Sequence, residues 1–190
     1  MHPVLCSFGS LTIYSYGVFV ALAVLVSWIY ARALSSKLRV SSPLAADILF
    51  ILFTSGILGA RIFYVAQRWA DYSSQPWRAF ALQEGGLVWY GGFFGALLAG
   101  YFFLHWKHEP KIFWADFFAC IVPLAHGIGR LGCFFNGCCY GKYLGQATRH
   151  PVQLYEVVLL GLLAAATYQQ MTRAYRPGRV VTTYFIPIEY

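Results

Sequence analysis

The feature that most constrains this chain is a series of long apolar stretches separated by short polar connections. Five such stretches run approximately over residues 16–34, 44–66, 87–106, 112–128 and 152–171. A helix needs about 20 mostly apolar residues to cross a hydrocarbon core of about 30 Å. Because these stretches occupy most of the sequence, we predict an all-α, polytopic integral membrane protein with about five transmembrane helices, forming a single domain over residues 1–190.

The composition excludes an ordinary soluble enzyme. Apolar and aromatic residues make up 59% of the chain and charged residues 11%, against about 45–50% and about 25% in a typical soluble domain. In a water-soluble protein the net charge of +7 would suggest nucleic acid. In a membrane protein such an excess belongs in the loops that face the cytoplasm, so no nucleic-acid partner is expected.

The distribution of Lys and Arg predicts the orientation of the spans. Eight of them lie in the first connection, the third connection and the C-terminal tail, against six on the other side. Basic residues are retained on the cytoplasmic side of a membrane. We therefore expect the N-terminus outside, the C-terminus in the cytoplasm and the 129–150 connection on the outer side.

Several glycines and two carboxylates allow predictions about helix packing and helix ends. We expect Gly56 and Gly59 to allow close helix packing. The pairs Gly85-Gly86 and Gly91-Gly92, and the glycine-rich run 127–141, favour irregular backbone, which a membrane tolerates only inside protein or along a cavity. Asp47 and Asp116 lie near predicted span starts, where a carboxylate stabilises a helix N-terminus.

The densest group of polar residues is the segment 126–141, HGIGRLGCFFNGCCYG, followed by HPVQLYE at 150–156. Ionisable groups next to apolar spans are functional candidates by default, because they are costly at that depth. The Arg130 guanidinium could hold a lipid phosphate by a two-pronged contact, with Arg61 as a second cation. The alternative is that Arg130 only reaches to the membrane interface.

These segments resemble the prolipoprotein diacylglyceryl transferase family. Its signature has the form Gly-Arg-x-Gly-Asn-Phe-x-Asn-Gly-Glu-x-x-Gly, and matching positions are held by Gly129, Arg130, Gly132, Phe134, Asn136, Gly137 and Gly141. The family's His-Pro-Ser-Gln-Leu-Tyr-Glu matches residues 150–156 except at Val152. Upstream matches are Tyr16-Gly17 after a short strand-like segment, Gly59-Ala60-Arg61 with Tyr64, and Gly91-Gly92. The chain is similar to a divergent, C-terminally short member.

The resemblance implies an enzyme that transfers the diacylglyceryl group of phosphatidylglycerol to the lipobox cysteine thiol of a prolipoprotein. The thiol becomes a thioether and glycerol phosphate leaves. The implied partners are phosphatidylglycerol or another anionic phospholipid, the lipobox peptide and membrane lipid. The implied location is the bacterial plasma (inner) membrane, with multiple passes. No cofactor and no metal is expected.

The resemblance also implies the residues of the site. The expected catalytic residues are Arg130, Tyr90, Asn136, His150 and Tyr16. The expected substrate-binding residues are Arg61, Tyr64, Gly91, Gly92, Gly132, Gly141, Gln153, Tyr155 and Glu156.

The chain departs from the family pattern at several of these positions. Tyr90 stands where the family has a His, Cys133 where it has an Asn, and Cys138 where it has a Glu. The family also continues into further membrane segments, one with a second functional Arg, that the 190 residues do not contain. These departures keep an alternative open, a non-catalytic lipid-binding accessory membrane protein or a homologue with a thiol-based site and a different acceptor.

Cys133, Cys138 and Cys139 form a possible thiol site. With His126 or His150 they offer soft ligands of the kind that zinc and copper(I) prefer. A pair could instead form a disulfide on an oxidising face, one thiol could act as nucleophile or acceptor, or all could be inert. The absence of a CxxC spacing weighs against a metal.

Overall fold

A computed structural model describes residues 4–8, 11–81, 85–144, 148–173 and 175–185 of the chain. The described part is mostly helical. Its α-helices are α1 (Ser15–Leu38), α2 (Ser42–Gln67), α3 (Trp69–Tyr72), α4 (Trp89–Trp106), α5 (Lys111–Ala119), α6 (Val122–Asn136), α7 (Val152–Arg173) and α8 (Arg179–Phe185). A 3-10 helix spans Pro76–Phe80, and the short strands are β1 (Val4–Phe8), β2 (Leu11–Tyr14), β3 (Tyr143–Leu144) and β4 (Thr148–Arg149).

Four helical segments of the described chain are long and apolar enough to cross a membrane. They are α1, α2, the α5–α6 segment Lys111–Asn136, and α7. Large apolar side chains stand exposed along them, among them Phe50, Ile62, Val158 and Leu162, as expected of surfaces that contact lipid. The fold class is confirmed as an all-α, multi-pass membrane protein.

The predicted number of five spans is not confirmed. The third apolar stretch forms the 18-residue helix α4, but α4 is not among the segments that satisfy both length and mean hydropathy. Its Trp, Tyr, Gly and His residues lower the mean hydropathy of an otherwise Phe- and Leu-rich helix. The other predicted stretches agree with helices to within a few residues.

The prediction for the fourth stretch was wrong at its end. We expected a short span over 112–128 followed by an irregular connection, but α6 continues to Asn136. Pro123 lies in the first turn of α6, where proline is tolerated because that N–H has no helical partner. Gly127, Gly129 and Gly132 are helical and do not break the helix. The glycine-rich run 127–141 is therefore helical up to Asn136 and irregular after it.

The chain forms two compact units, which we describe separately. The first contains residues 1–40 and 112–190. In it α6 packs against α1 and α7, and α8 packs against α7. Gly132 permits the contact with α1, because a Cβ there would lie 2.8 Å from Phe19 Cβ. The strand-like N-terminal segment is confirmed as the antiparallel pair β1–β2, and β3 pairs antiparallel with β4.

Asp116 stabilises a helix N-terminus, but not that of its own helix. Its fully buried carboxylate accepts hydrogen bonds from the backbone N–H groups of Gly178 at 2.6 Å and Val181 at 2.8 Å. These donors lie at the start of α8, where backbone N–H groups lack helical acceptors. Asp116 thereby ties α5 to α8. Asp47, by contrast, is exposed on α2.

The second unit, residues 41–111, is built on the contact between α2 and α4. A Cβ at Gly59 would overlap the carbonyl oxygen of Gly91, and one at Gly95 would lie 2.7 Å from the Ser55 carbonyl oxygen. The packing role expected for Gly59 is confirmed. For Gly91-Gly92 the expectation of irregular backbone was wrong, because both residues are helical and pack on α2. Gly85 and Gly86 are irregular as expected, with φ of 75° and 83°.

Candidate functional site

Arg61 is buried in the second unit, and its guanidinium is fully occupied by backbone carbonyls. Nε donates to the Ala79 carbonyl at 2.8 Å. The terminal nitrogens donate at 2.5–3.2 Å to the carbonyl oxygens of Gly85, Gly86, Arg78 and Ala81. These contacts use all the N–H donors that a guanidinium has. Arg61 therefore holds the segment before α4 in place, and it differs from our expectation of a phosphate ligand because no donor is left.

Tyr64 belongs to the same cluster as Arg61. The guanidinium carbon of Arg61 lies 5.6 Å from the ring centroids of both Tyr64 and Tyr72. The left-handed Gly86 lies so close to the Tyr64 ring that a Cβ there would overlap it. The aromatic faces help to stabilise a buried cation, as cation–π contacts do. Tyr72 was not singled out from the sequence, in which nothing distinguishes it from the other tyrosines.

Tyr90 stands in the first turn of α4 and is 65% exposed. Its ring packs edge-on against Trp89, with centroids 5.2 Å apart. The next residues, Gly91 and Gly92, face α2, so their close approach to that helix accounts for them without a ligand. Among the expected site residues of this unit, Tyr90 has a largely exposed side chain.

In the first unit, Arg130 of α6 forms an ion pair with Glu156 of α7. The Arg130 Nε contacts the Glu156 Oε2, and the side chains are 29% and 30% exposed. His126, one helical turn before Arg130, interacts electrostatically with both charges. The ion pair brings together the two sequence segments, 126–141 and 150–156, that we expected to form one site.

Tyr16 joins this group from the start of α1. Its phenol lies within electrostatic range of Arg130 and of the thiols of Cys133, Cys138 and Cys139. Its ring also lies against Gly132, where a Cβ would come within 3.4 Å of the Tyr16 Cδ2. Gly132 therefore serves close packing of α1 and α6, and its contact with substrate stays a prediction.

Gln153 and His150 lie where the chain enters α7. The Gln153 side chain is fully buried, and its Nε2 donates to the Cys138 carbonyl at 2.6 Å. Its Oε1 and the Nδ1 of His150 are buried without a hydrogen-bond partner among the described residues. Buried polar atoms are normally paired, so the Gln153 Oε1 and the His150 Nδ1 are candidate contacts for a bound polar group.

The segment around His150 is held by backbone pairing. Gly141 N–H donates to the His150 carbonyl, and His150 N–H donates to the Lys142 carbonyl, both at 3.0 Å. Gly141 fits there because a Cβ would overlap Val152, and its contact with substrate stays a prediction. The Tyr155 ring packs edge-on against the His150 ring, with centroids 5.2 Å apart.

The end of α6 folds the three thiols into one cluster. Gly137 is left-handed, with φ of 78°, and ends the helix. The Cys138 N–H donates to the Cys133 carbonyl at 3.1 Å and the Gly137 N–H to the Phe134 carbonyl at 3.2 Å, the pattern of a Schellman motif. Sulfur atoms of Cys133, Cys138 and Cys139 all lie within 4.8 Å of one another. Asn136, the last residue of α6, is half-buried beside them.

Cys139 is the exposed member of the cluster, and all three thiols are free. Its Sγ lies 3.5 Å from the Cys138 Sγ. The hydrogen bond with Cys138, followed by burial, raises the pKa of the Cys139 thiol, and the Arg130 charge opposes this in part. The raised pKa of Cys139 favours its neutral thiol over the thiolate, which is the nucleophilic form.

The structure thus divides the expected site residues between its two units. The first unit brings together Arg130, Glu156, Tyr16, Gly132, Gln153, His150, Gly141, Tyr155, Asn136 and the three thiols. The second holds Arg61, Tyr64, Gly91, Gly92 and Tyr90. The first unit offers a partly buried cation, and an arginine of this kind is suited to binding an anionic ligand.

Comparison with known proteins gives one consistent family. The family model described as prolipoprotein diacylglyceryl transferase matches residues 3–189. Several similar proteins are each named phosphatidylglycerol–prolipoprotein diacylglyceryl transferase.

One of these relatives, from Geobacter sulfurreducens, is 33% identical over 98% of this chain and 77% of its own length. One from Parasynechococcus marenigrum is 36% identical over 73% of this chain. A third, from Streptococcus equi subsp. zooepidemicus, is 28% identical over 98% of this chain and 79% of its own length. The match covers only 50% of the Parasynechococcus protein, so the chain spans about half the length of that relative.

Proposed function

The chain belongs to the prolipoprotein diacylglyceryl transferase family, and on that premise we propose that it moves a diacylglyceryl group from phosphatidylglycerol to a cysteine thiol. The acceptor is the lipobox cysteine of a prolipoprotein. This is the activity in the names of its relatives, and the lipid is phosphatidylglycerol or another anionic phospholipid.

The observation that carries the proposal is the half-buried Arg130–Glu156 ion pair, in the same unit as the buried Gln153 Oε1 and His150 Nδ1, which have no hydrogen-bond partner among the described residues. The pair engages the Nε edge of the guanidinium, and the terminal nitrogens carry further donors that suit a phosphate in a forked contact. The Gln153 Oε1 is an acceptor suited to a hydroxyl of the glycerol headgroup. A headgroup seated here satisfies the cation and the orphaned acceptor together.

The reaction makes one bond and breaks one bond. The acceptor sulfur bonds to the glyceryl carbon, and the bond from that carbon to the phosphate oxygen breaks. The electron pair of that bond leaves with glycerol phosphate, whose developing negative charge Arg130 stabilises. The proton of the attacking thiol goes to a base, for which we propose His150, because an unpartnered imidazole nitrogen can accept it.

The remaining residues have supporting roles in this proposal. Tyr16, Asn136 and Tyr155 line the Arg130 site of the first unit, and Tyr90 and Tyr64 of the second unit are proposed as separate lipid contacts. Tyr90 is a weaker candidate for the base than His150, since a phenol oxygen accepts a proton less readily than an imidazole nitrogen. Arg61 positions the segment before α4 and does not contact the phosphate.

We also propose that α4 crosses the membrane as a fifth span, and that the protein lies in the bacterial inner membrane with its N-terminus outside and its C-terminus in the cytoplasm. The basic residues of the first and third connections and of the tail support this orientation. Labelling of cysteines introduced singly at the two ends of α7, in intact cells with a membrane-impermeant reagent, tests it. Labelling of the C-terminal end before lysis contradicts it.

The experiment for the reaction uses the full chain in vesicles that contain phosphatidylglycerol. A lipobox peptide is added, and both the peptide mass and released glycerol phosphate are measured. The proposal expects the peptide to gain one diacylglyceryl group per glycerol phosphate released, and a peptide with serine in place of the acceptor cysteine to remain unchanged. A peptide whose thiol stays free, with no glycerol phosphate released, overturns it.

The alternative is a lipid-binding accessory membrane protein without turnover. The observation that favours it is Tyr90, an exposed phenol where the family has a histidine. It predicts that phospholipid copurifies with the chain, and that Tyr90→Phe changes lipid retention while no peptide is modified. Peptide modification by the wild type excludes this alternative.

A further inference from the structure

The thiol cluster at the end of α6 is a preformed set of soft ligands that the transfer reaction does not use. Cys133, Cys138 and Cys139 place their sulfur atoms within 4.8 Å of one another. We propose that they bind a soft metal ion through three thiolates, and that copper(I) is the ion that fits best.

The spacing of the sulfur atoms suits a trigonal site. With metal–sulfur bonds of about 2.3 Å, three sulfurs around one ion stand about 4.0 Å apart. The longest separation in the cluster therefore needs to close by less than about 1 Å, within reach of side-chain rotation. The Cys138 and Cys139 sulfurs already stand 3.5 Å apart.

The backbone holds the ligands in this arrangement. The Schellman turn brings Cys138 back over Cys133, and a left-handed Cys139, with φ of 63°, turns its sulfur toward Cys138. Non-glycine residues seldom adopt this conformation, and such strain often marks a functional site. The hydrogen bond from Gln153 to the Cys138 carbonyl, at 2.6 Å, fixes the turn from α7.

The number and the softness of the ligands distinguish among metals. The described cluster contains three sulfur ligands, whereas structural zinc sites are almost always closed by four. Copper(I) is selected by soft thiolates. Binding of the ion releases the three thiol protons to solvent, because each ligand must be a thiolate.

The test titrates the reduced, full-length chain in detergent, under anaerobic conditions, with copper(I) held by a coloured copper(I) chelator. The expected result is one copper per chain with three sulfur neighbours by X-ray absorption. Cys133→Ser, Cys138→Ser and Cys139→Ser should each weaken binding by about 100-fold or more. Cys120→Ser is the matched control, because Cys120 is a free thiol buried outside the cluster, and it should bind copper like the wild type.

A second measurement needs no variant and so does not depend on whether a variant folds. Copper(I) should protect the three cluster thiols of the wild type from alkylation, as read by peptide mass spectrometry. Failure of the chain to take copper from the chelator overturns the proposal, as does unchanged affinity in all three variants. A Cys138–Cys139 disulfide that remains after treatment of the protein with a reductant also overturns it.

Copper binding is measured without lipid or acceptor peptide. A negative result for peptide transfer therefore leaves the metal site standing, and a negative result for copper leaves the transfer proposal standing.

Discussion

The Arg130 guanidinium of α6 is paired with the Glu156 carboxylate of α7, and the two side chains are 29% and 30% exposed. The pair links two segments that are separate in sequence and keeps a cation partly buried without an uncompensated charge. A lipid phosphate that approaches Arg130 meets a side chain whose position is already fixed. Such preorganisation lowers the cost of binding and of stabilising developing charge.

Removing one partner of this pair should destabilise the protein more than removing both. We expect Arg130→Gln or Glu156→Gln to cost about 1–2 kcal/mol, below the range for fully buried pairs because these side chains retain some exposure. The double variant should recover about 1 kcal/mol, because neither charge is then left alone. The measurement is a double-mutant cycle on unfolding in detergent.

Arg68 and Asp71 provide the matched control for the cycle. Their closest atoms are 3.9 Å apart, with side chains 61% and 65% exposed. Exposed pairs contribute little, so the same cycle there should give a coupling near zero. Equal coupling in the two pairs contradicts the structural role given to Arg130 and Glu156.

Gly59→Ala should loosen the contact between α2 and α4. The added Cβ would overlap the Gly91 carbonyl oxygen, a backbone atom that cannot move without the helix. We expect a loss of about 1–3 kcal/mol in unfolding free energy. Gly161→Ala in α7 is the control, because a Cβ there meets nothing within 4 Å. It should be neutral or stabilise by up to about 1 kcal/mol, and a larger loss there than at Gly59 refutes the packing argument.

Arg61→Lys should release the segment that precedes α4. Lysine keeps the charge but has three donors in place of five, so at least two of the carbonyl contacts are lost, at a cost of about 3 kcal/mol. Hydrogen exchange should accelerate at residues 78–81 and 85–86. Arg68→Lys, on an exposed side chain, should leave exchange unchanged. Normal protection of that segment in Arg61→Lys is the result that contradicts this assignment.

Asp116→Asn should fray α8. The carboxylate accepts from the N–H groups of Gly178 and Val181, and an amide replaces one of the two acceptors by a donor. The expected cost is about 1–2 kcal/mol, with faster hydrogen exchange at those two amides. Asp47→Asn, at an exposed position of α2, should change stability by less than about 0.5 kcal/mol. Unaltered exchange at Gly178 and Val181 would show that the cap is dispensable.

Hydropathy predicted most of the helices because each crossing needs a run of apolar residues, and α1, α2 and α7 agree with their runs to within a few residues. The end of α6 could not be predicted in this way. Gly129 and Gly132 suggest a break, and only the packing of Gly132 against Phe19 shows why glycine is helical there. The family motif identified the region of the site, but not the atoms that meet in it.

Side-chain partners were the least predictable level. From the sequence, an arginine at a membrane boundary is a reasonable candidate for binding phosphate. The structure shows that the backbone carbonyls around Arg61 already accept all of its N–H donors. The thiols lacked a CxxC spacing, and the turn at Gly137 brings Cys138 to Cys133 by a backbone reversal that composition does not encode. The pairing of Arg130 with Glu156 likewise depends on how α6 packs against α7, which the sequence alone does not show.

In the proposed reaction, Arg130 stabilises the phosphate that leaves during transfer. The most direct measurement is the rate at which the full chain modifies a lipobox peptide in phosphatidylglycerol vesicles, for the wild type, Arg130→Ala and Arg173→Ala. Loss of a charge-stabilising donor costs about 100- to 1000-fold in rate. We predict a loss of at least about 100-fold for Arg130→Ala, while Arg173→Ala, at the exposed end of α7, keeps the wild-type rate. A wild-type rate in Arg130→Ala contradicts the account.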